Sequence, residues 1–186
     1  MIYIVGTAHS VQVWSNAKWN GTSLDASKEM MQAFEIYLET AARSLDASMI
    51  AEEACEEWVR RHGQGASSVA RDVAIRLGIK HLFCDPDSQE RRAMGLKVGL
   101  ELTEYARKVA ADTGRHFDEV YLEERGKGFA PRESIWIERL GNYEPNNRSL
   151  IFICGADHVE TLKSALDARD IMAEVYCRDW TELVDG

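Results

Sequence analysis

Apolar and polar residues follow two different periods along this chain, one typical of strands and the other of helices. Five short apolar runs predict strands over 2–6, 48–53, 80–85, 149–154 and 171–177. Apolar residues at helical spacing predict helices over 26–45, 54–62, 68–77, 88–114, 131–140 and 157–169. Strands that alternate with helices predict an α/β fold, with a mainly parallel sheet of about five strands and helices on both faces.

The organisation of the chain predicts a single α/β domain over residues 1–186, because no linker, repeat or low-complexity tract interrupts the pattern. The stretch 114–130 is the least regular, with several glycines and mixed charge, and we interpret it as a mobile loop or lid. Gly95 and Gly99 lie one turn apart in the predicted helix 88–114, a spacing that favours close packing against a neighbour.

Composition and charge narrow the classes of partner. The formal net charge is −9, from 31 acidic and 22 basic side chains, which argues against nucleic acid or an anionic membrane as a partner. No membrane-length apolar run and no secretory leader pattern is present, and the four scattered cysteines resemble buried apolar residues of a reducing compartment. We therefore predict a cytoplasmic protein, compatible with a homo-oligomer. No dinucleotide or Walker motif occurs, so no nucleotide cofactor is expected.

Polar residues follow four predicted strands at the point where each strand ends: His9, then Glu52 and Glu53, then Asp85, then His158. The carboxyl ends of parallel strands meet at one edge of a sheet, where ligands bind in such folds. Imidazoles and carboxylates there suit a divalent metal that activates water. Without a metal, a histidine–glutamate pair can act on water directly as general base and acid.

Simpler interpretations apply to each residue. A histidine after a strand is often a turn or capping residue, and Asp157 suits the N-cap of the following helix. The run "EEACEE" suits a solvated helix start, and "DPDSQE" suits a turn and a cap. Trp14 either lines a substrate cleft or covers the edge of the core. Arg132 at a helix start is slightly unfavourable as a surface residue, which favours a functional role.

The order of these motifs resembles that of the TraB/TIKI family of metal-dependent hydrolases, and of the wider group of erythromycin esterase-like and ChaN-like proteins. The resemblance covers most of the chain and rests on "IVGTAHS", "MIAEE", "FCDPDSQE", "RESIWIERL" and "LIFICGADHVETLKSALDARDIMAEV". It implies a hydrolytic site at the strand ends and carries over to His9, Glu52 or Glu53, Arg132 and His158. In the TIKI branch it also implies a metal.

We therefore predict a hydrolase of the peptidase, amidase or esterase type. The candidate catalytic residues are Glu52, Glu53, Arg132 and His158, and the candidate substrate-binding residues are Trp14 and Arg132. The candidate ligands of a Mn²⁺, Co²⁺ or Zn²⁺ ion are His9, Glu52, Asp85 and His158. The alternatives are a non-catalytic module that binds a small ligand or anion, and a two-metal phosphoesterase.

Overall fold

The structure, a computed structural model, describes residues 1–14, 28–63, 65–141 and 149–181. Trp14 ends a short strand, but the placement of its side chain lies outside what is described, so its predicted place in a cleft stays a prediction.

Seven strands and eight helices occur in the described residues. The strands are β1 (Ile2–Thr7), β2 (Val13–Trp14), β3 (Ala47–Glu52), β4 (Ser67–Ser68), β5 (Lys80–Phe83), β6 (Ser149–Gly155) and β7 (Ala173–Cys177). The helices are α1 (Lys28–Ser44), α2 (Glu56–Arg61), α3 (Val69–Leu77), α4 (Ser88–Ala93), α5 (Leu100–Thr113), α6 (Phe117–Gly126), α7 (Phe129–Gly141) and α8 (Val159–Asp167).

Five strands form one parallel sheet in the order β5-β3-β6-β1-β7, which confirms the predicted α/β fold. Strands β2 and β4 form a separate antiparallel pair that the apolar pattern did not reveal. Each central strand is apolar toward both faces, because helices cover both sides of the sheet. Within the described residues, no helix combines the length and apolar character needed to cross a membrane.

The two faces of the sheet carry separate cores. Alternate residues such as Val5, Ile50 and Ile153 pack with Phe34 of α1 and Val73 of α3. The intervening strand residues, which include Ile4, Met49, Ala51 and Phe152, pack on the other face against Trp136 of α7 and Leu162 of α8. Because successive side chains of a strand point to opposite faces of the sheet, neighbouring residues of one strand belong to different cores.

The neighbouring strands β1 and β6 mark the place where ligands bind in such sheets. They pair in register, with Thr7 opposite Gly155, so their carboxyl ends lie side by side. The chain leaves β1 toward α1 on one face and leaves β6 toward α8 on the other. This divergence opens a crevice at the strand ends, and His9 and His158 both lie in short 3-10 turns there.

The region 88–130 differs from prediction. The predicted helix 88–114 is broken into α4 and α5, because Gly95 and Gly99 adopt positive φ angles of 74° and 52°. A Cβ atom at either glycine would meet nothing within 4 Å, so they do not serve close packing as predicted. The stretch 114–130, predicted to be irregular, is helical over α6 and enters α7.

Candidate functional site

The side chain of Glu53 is the centre of a buried polar cluster at the carboxyl end of β3. Its Oε1 lies 3.6 Å from Nε2 of His9 and 3.5 Å from Nε2 of His158. Arg132 donates a hydrogen bond from Nη2 to the same oxygen, and the backbone N–H of Gly155 donates to Oε2 at 2.8 Å. Residues from four parts of the chain thus meet at one carboxylate. We call His9, Glu53, Arg132 and His158 the histidine–glutamate cluster.

His9 is the member of the cluster that meets solvent. Its side chain is 41% exposed, whereas that of Glu53 is 1% exposed. Its Nδ1 is buried and has no hydrogen-bond partner among the described residues, and its Nε2 lies 3.6 Å from Oε1 of Glu53, too far for a hydrogen bond. The Trp58 ring lies edge-on to the imidazole, at 6.1 Å between centroids. His9 is therefore placed to contact a molecule in the crevice.

His158 is held rigidly beneath the cluster. Its Nδ1 lies 2.7 Å from Oε1 of Glu133, which also accepts a hydrogen bond from Thr161 Oγ1 at 2.6 Å. The imidazole packs against the rings of Phe129 and Trp136, with centroid distances of 4.0 and 4.9 Å. Its Nε2 is buried without a hydrogen-bond partner, which leaves that nitrogen directed only at Glu53.

Glu133 is a site residue that sequence reasoning missed. It carries a carboxyl group, yet it is only 3% exposed and lies on the apolar stripe of α7 with Trp136, Ile137 and Leu140. Glu133 is position i of an i, i+3, i+4, i+7 pattern whose other members are apolar. A carboxyl group on such a buried helix face indicates a functional or hydrogen-bonded residue, and this signal is present in the sequence. Buried carboxylates need partners, and His158 and Thr161 supply them here.

Asp85 anchors the arginine of the cluster. It accepts hydrogen bonds at Oδ1 from Arg132 Nε at 2.9 Å and from Trp136 Nε1 at 3.0 Å, and at Oδ2 from Arg91 Nη2. Arg132 therefore bridges Asp85 and Glu53, with its side chain only 13% exposed. Its Nη1 amino group makes no hydrogen bond with the described residues, and Arg132 lines the cleft.

The electrostatics of the cluster favour a permanently ionised carboxylate. Burial alone would raise the pKa of Glu53, but the two imidazoles, the Arg132 guanidinium and the Gly155 N–H outweigh it and lower the pKa to about 2. Burial would likewise lower the pKa of Arg132, yet the carboxylates of Glu53 and Asp85 raise it. Glu53 is thus a fixed negative charge at neutral pH.

Glu52 does not join the cluster, although it is adjacent to Glu53. Successive side chains of a strand point to opposite faces, and Glu52 lies on the face that carries α1 and α3. There it accepts a hydrogen bond from Ser68 Oγ and lies 2.7 Å from Nε2 of His81. The structure therefore brings together His9, Glu53, Arg132 and His158 but separates Glu52 from them.

The predicted set of metal ligands is not assembled as one group. Glu52 lies on the other face, and Asp85 is engaged by Arg91, Arg132 and Trp136. Both oxygens of Glu53 accept hydrogen bonds, and a cation on Oε1 would lie beside the Arg132 guanidinium, which repels it. Across the described parts of the chain, no group of three or more His, Cys, Asp or Glu side chains is arranged to hold a metal ion. The residues as arranged do not fit a resident divalent ion.

A cleft of about 240 Å³ opens directly above the cluster. Its walls are formed by His9, Glu53, Ala54, Trp58, Asp85, Arg91, Arg125 and Arg132. A second cleft lies on the other side of His9 and is lined in part by Gly155, His158, Asp157 and Asp179. His9 and Arg125 line both clefts, so the His9 imidazole is accessible from either one.

Gly155 is the tightest point of this arrangement and provides a test of it. A Cβ atom there would lie 3.1 Å from His9 Nε2 and 3.4 Å from Glu53 Oε2, while the backbone φ of −59° suits any residue. We therefore expect Gly155→Ala to fold with a change in unfolding free energy below about 1.5 kcal/mol, but to displace the His9 ring. Comparing the His9 imidazole NMR signals of the two proteins checks this. Unchanged signals would show that the ring has free space.

Comparisons with family models, curated proteins and solved structures complete the description of this site. No family model matches the chain, and neither does any curated protein or solved structure.

Proposed function

We propose that this protein is a hydrolase that cleaves an ester or amide bond of a small molecule or peptide by activating water at the histidine–glutamate cluster. The observation that carries the proposal is the convergence of two imidazole nitrogens on one buried, ionised carboxylate beneath an open cleft. Perturbed titratable groups in a cleft at strand ends are typical of catalytic sites. A structural ion pair would not require a half-exposed histidine beside it.

In this proposal His9 is the general base. Its Nε2 takes a proton from a water molecule in the cleft as that water attacks the substrate carbonyl, and it returns the proton to the leaving group. The ionised Glu53, with Oε1 3.6 Å from Nε2, stabilises the imidazolium that forms in between. Because the pKa of Glu53 is about 2, this carboxylate stays charged instead of taking the proton itself.

His158 and Glu133 are positioning residues behind the base. The bond between Glu133 and Nδ1 fixes the ring of His158, which in turn keeps Nε2 against Glu53. Arg132 stabilises the oxyanion that develops on the substrate carbonyl, since its Nη1 group faces no described partner and lines the cleft. Asp85 and Glu53 hold the guanidinium in place for that task.

The relationship to the TraB/TIKI group belongs to the same proposal and rests on the order of the sequence motifs. The metal of the TIKI branch does not enter the mechanism, because the described side chains do not form a ligand set for it. The cluster as arranged performs the proton transfer with protein groups alone. Metal dependence is therefore a clear experimental discriminator between this mechanism and that of the TIKI branch.

The proposal is tested with a panel of 4-nitrophenyl esters, amides and short peptides. We expect turnover that survives dialysis against EDTA and that falls at least about tenfold in Glu133→Gln, because the amide no longer orients His158 in one tautomer. Glu138→Gln, a surface change on the same helix, is the matched control. Turnover that disappears with EDTA and returns with Mn²⁺, Co²⁺ or Zn²⁺ would replace the metal-free mechanism. No turnover on the whole panel would favour the non-catalytic binding module.

A further inference from the structure

The two clefts beside His9 differ in charge. The cleft above the cluster is lined by three arginines, Arg91, Arg125 and Arg132, but by only two carboxylates, Glu53 and Asp85. The cleft on the other side of His9 carries Asp157 and Asp179, with Arg125 shared between both. In a chain with a net charge of −9, a cleft with an excess of positive charge is a local exception.

Most of the positive charge in the first cleft is already neutralised. Arg132 is paired with Glu53 and Asp85, and Arg91 shares Asp85 while its Nε donates to the Pro86 carbonyl at 3.1 Å. Arg125 is different, because neither carboxylate of this cleft pairs with it.

Arg125 has only a weak partner in the described residues. Its Nη2 lies 3.3 Å from Oδ2 of Asp157, and the two side chains are 39% and 64% exposed. Exposed pairs of this kind contribute little and exchange readily for another anion. The guanidinium also lies 5.7 Å from the ring centroid of Phe129, and that ring packs on His158. Arg125 therefore lies beside the cluster, and its guanidinium can exchange Asp157 for another negative group.

We infer that the substrate carries an acidic group, a carboxylate or a phosphate, and that Arg125 binds it in the cleft above the cluster, with Arg91 beside it. This inference rests on the proposed hydrolase function and adds the class of substrate. Guanidinium groups bind both anions through paired N–H donors. The Trp58 ring forms an adjacent wall that suits the apolar part of the same substrate.

The inference is tested by turnover and by binding on the same variants. Arg125→Gln removes the charge, Arg125→Glu reverses it, and Arg115→Gln is the matched control, because Arg115 pairs with Glu119 and Glu123 and lines neither cleft. Turnover uses 4-nitrophenyl esters of equal length whose acyl chain ends in a methyl, a carboxylate or a phosphate group. Binding of glutarate and of inorganic phosphate is measured by calorimetry at low salt, and circular dichroism checks the fold of each variant.

We expect the wild type to prefer an acid-ended ester over the neutral one by at least about tenfold in kcat/KM. Arg125→Gln should remove most of that preference and weaken binding of the matching anion by roughly tenfold, Arg125→Glu by more, and Arg115→Gln by less than about twofold. The end group, carboxylate or phosphate, whose ester shows the larger increase in kcat/KM over the neutral ester identifies the acidic group of the substrate.

The outcomes separate this inference from the proposed function. Equal turnover of neutral and acidic esters, with anion affinity unchanged in Arg125→Gln, would overturn the acidic substrate and leave the hydrolase intact. Anion binding that depends on Arg125 without turnover of any ester would uphold the anion site and reject the hydrolase.

Discussion

Replacing His9 with alanine is expected to lower kcat/KM by about a hundredfold or more without unfolding the protein. A positioned general base typically contributes 10²–10⁴-fold, roughly, to the rate of proton transfer, and the proposed mechanism assigns that step to Nε2 of His9. The side chain is 41% exposed, so its removal leaves a wider cleft instead of a sealed cavity. Turnover of the preferred ester and thermal unfolding are measured side by side.

The matched control for this change is His116→Ala. His116 is a surface histidine at the start of α6, with a side chain that is 78% exposed. We expect its activity to equal that of the wild type within about twofold. Retention of full activity by His9→Ala, or an equal loss in both variants, would contradict the assignment of His9 as the base.

Replacing Glu53 with glutamine is expected to be the most destabilising of these single changes. Glu53 is buried, and Arg132 would lose one of its two carboxylate partners inside the protein. Loss of one partner of a buried ion pair costs about 3–5 kcal/mol, and we expect about 3 kcal/mol because Asp85 still pairs with Arg132. The amide also removes the fixed charge that stabilises the His9 imidazolium, so turnover should fall with stability.

The same variant carries a pH signature. The pKa of Glu53 is lowered from 4.5 to about 2 in the folded protein, so its ionisation stabilises the fold above pH 4.5 and this contribution is lost as the pH falls toward about 2. Urea unfolding of the wild type and of Glu53→Gln is compared at about pH 7 and about pH 3. We expect the difference in unfolding free energy to shrink by roughly half or more at the lower pH.

Glu56→Gln is the control for this comparison, because Glu56 is an exposed carboxylate that lies nearby in the chain and pairs only with Arg60 among described residues. It should change the unfolding free energy by less than about 0.5 kcal/mol at either pH. A difference between wild type and Glu53→Gln that is the same at both pH values would show that folding does not lower the pKa of Glu53.

Local patterns in the sequence were sufficient to predict the strands of the main sheet and the place where much of the histidine–glutamate cluster forms. Apolar runs that end in glycine or a carboxylate predicted β1, β3 and β6, and the helices between them required parallel pairing. Parallel strands bring their carboxyl ends together, so the neighbourhood of His9 and His158 followed from topology alone. The break between α4 and α5 did not follow, since a glycine inside an apolar periodic run is compatible with a helix or with a turn.

The choice between Glu52 and Glu53 illustrates what tertiary structure adds. Adjacent residues at the end of a strand point to opposite faces, and the sequence does not say which helices cover which face. Helices α7 and α8 cover the face of the sheet that carries the Ala51 side chain, and this places Glu53 beside Arg132. On the other face Glu52 accepts a hydrogen bond from Ser68, which directly precedes α3.

The partners of the buried polar and charged side chains could likewise not be predicted from local sequence patterns. Asp85 and Arg132 are 47 positions apart, and Glu133 and His158 are 25 apart. Short-range periodicity indicates which residues are buried, but it carries no information on contacts across such distances. Those pairings are set by the packing of α7 against the sheet, because a buried charge is stable only where that packing supplies an opposite charge or a hydrogen bond.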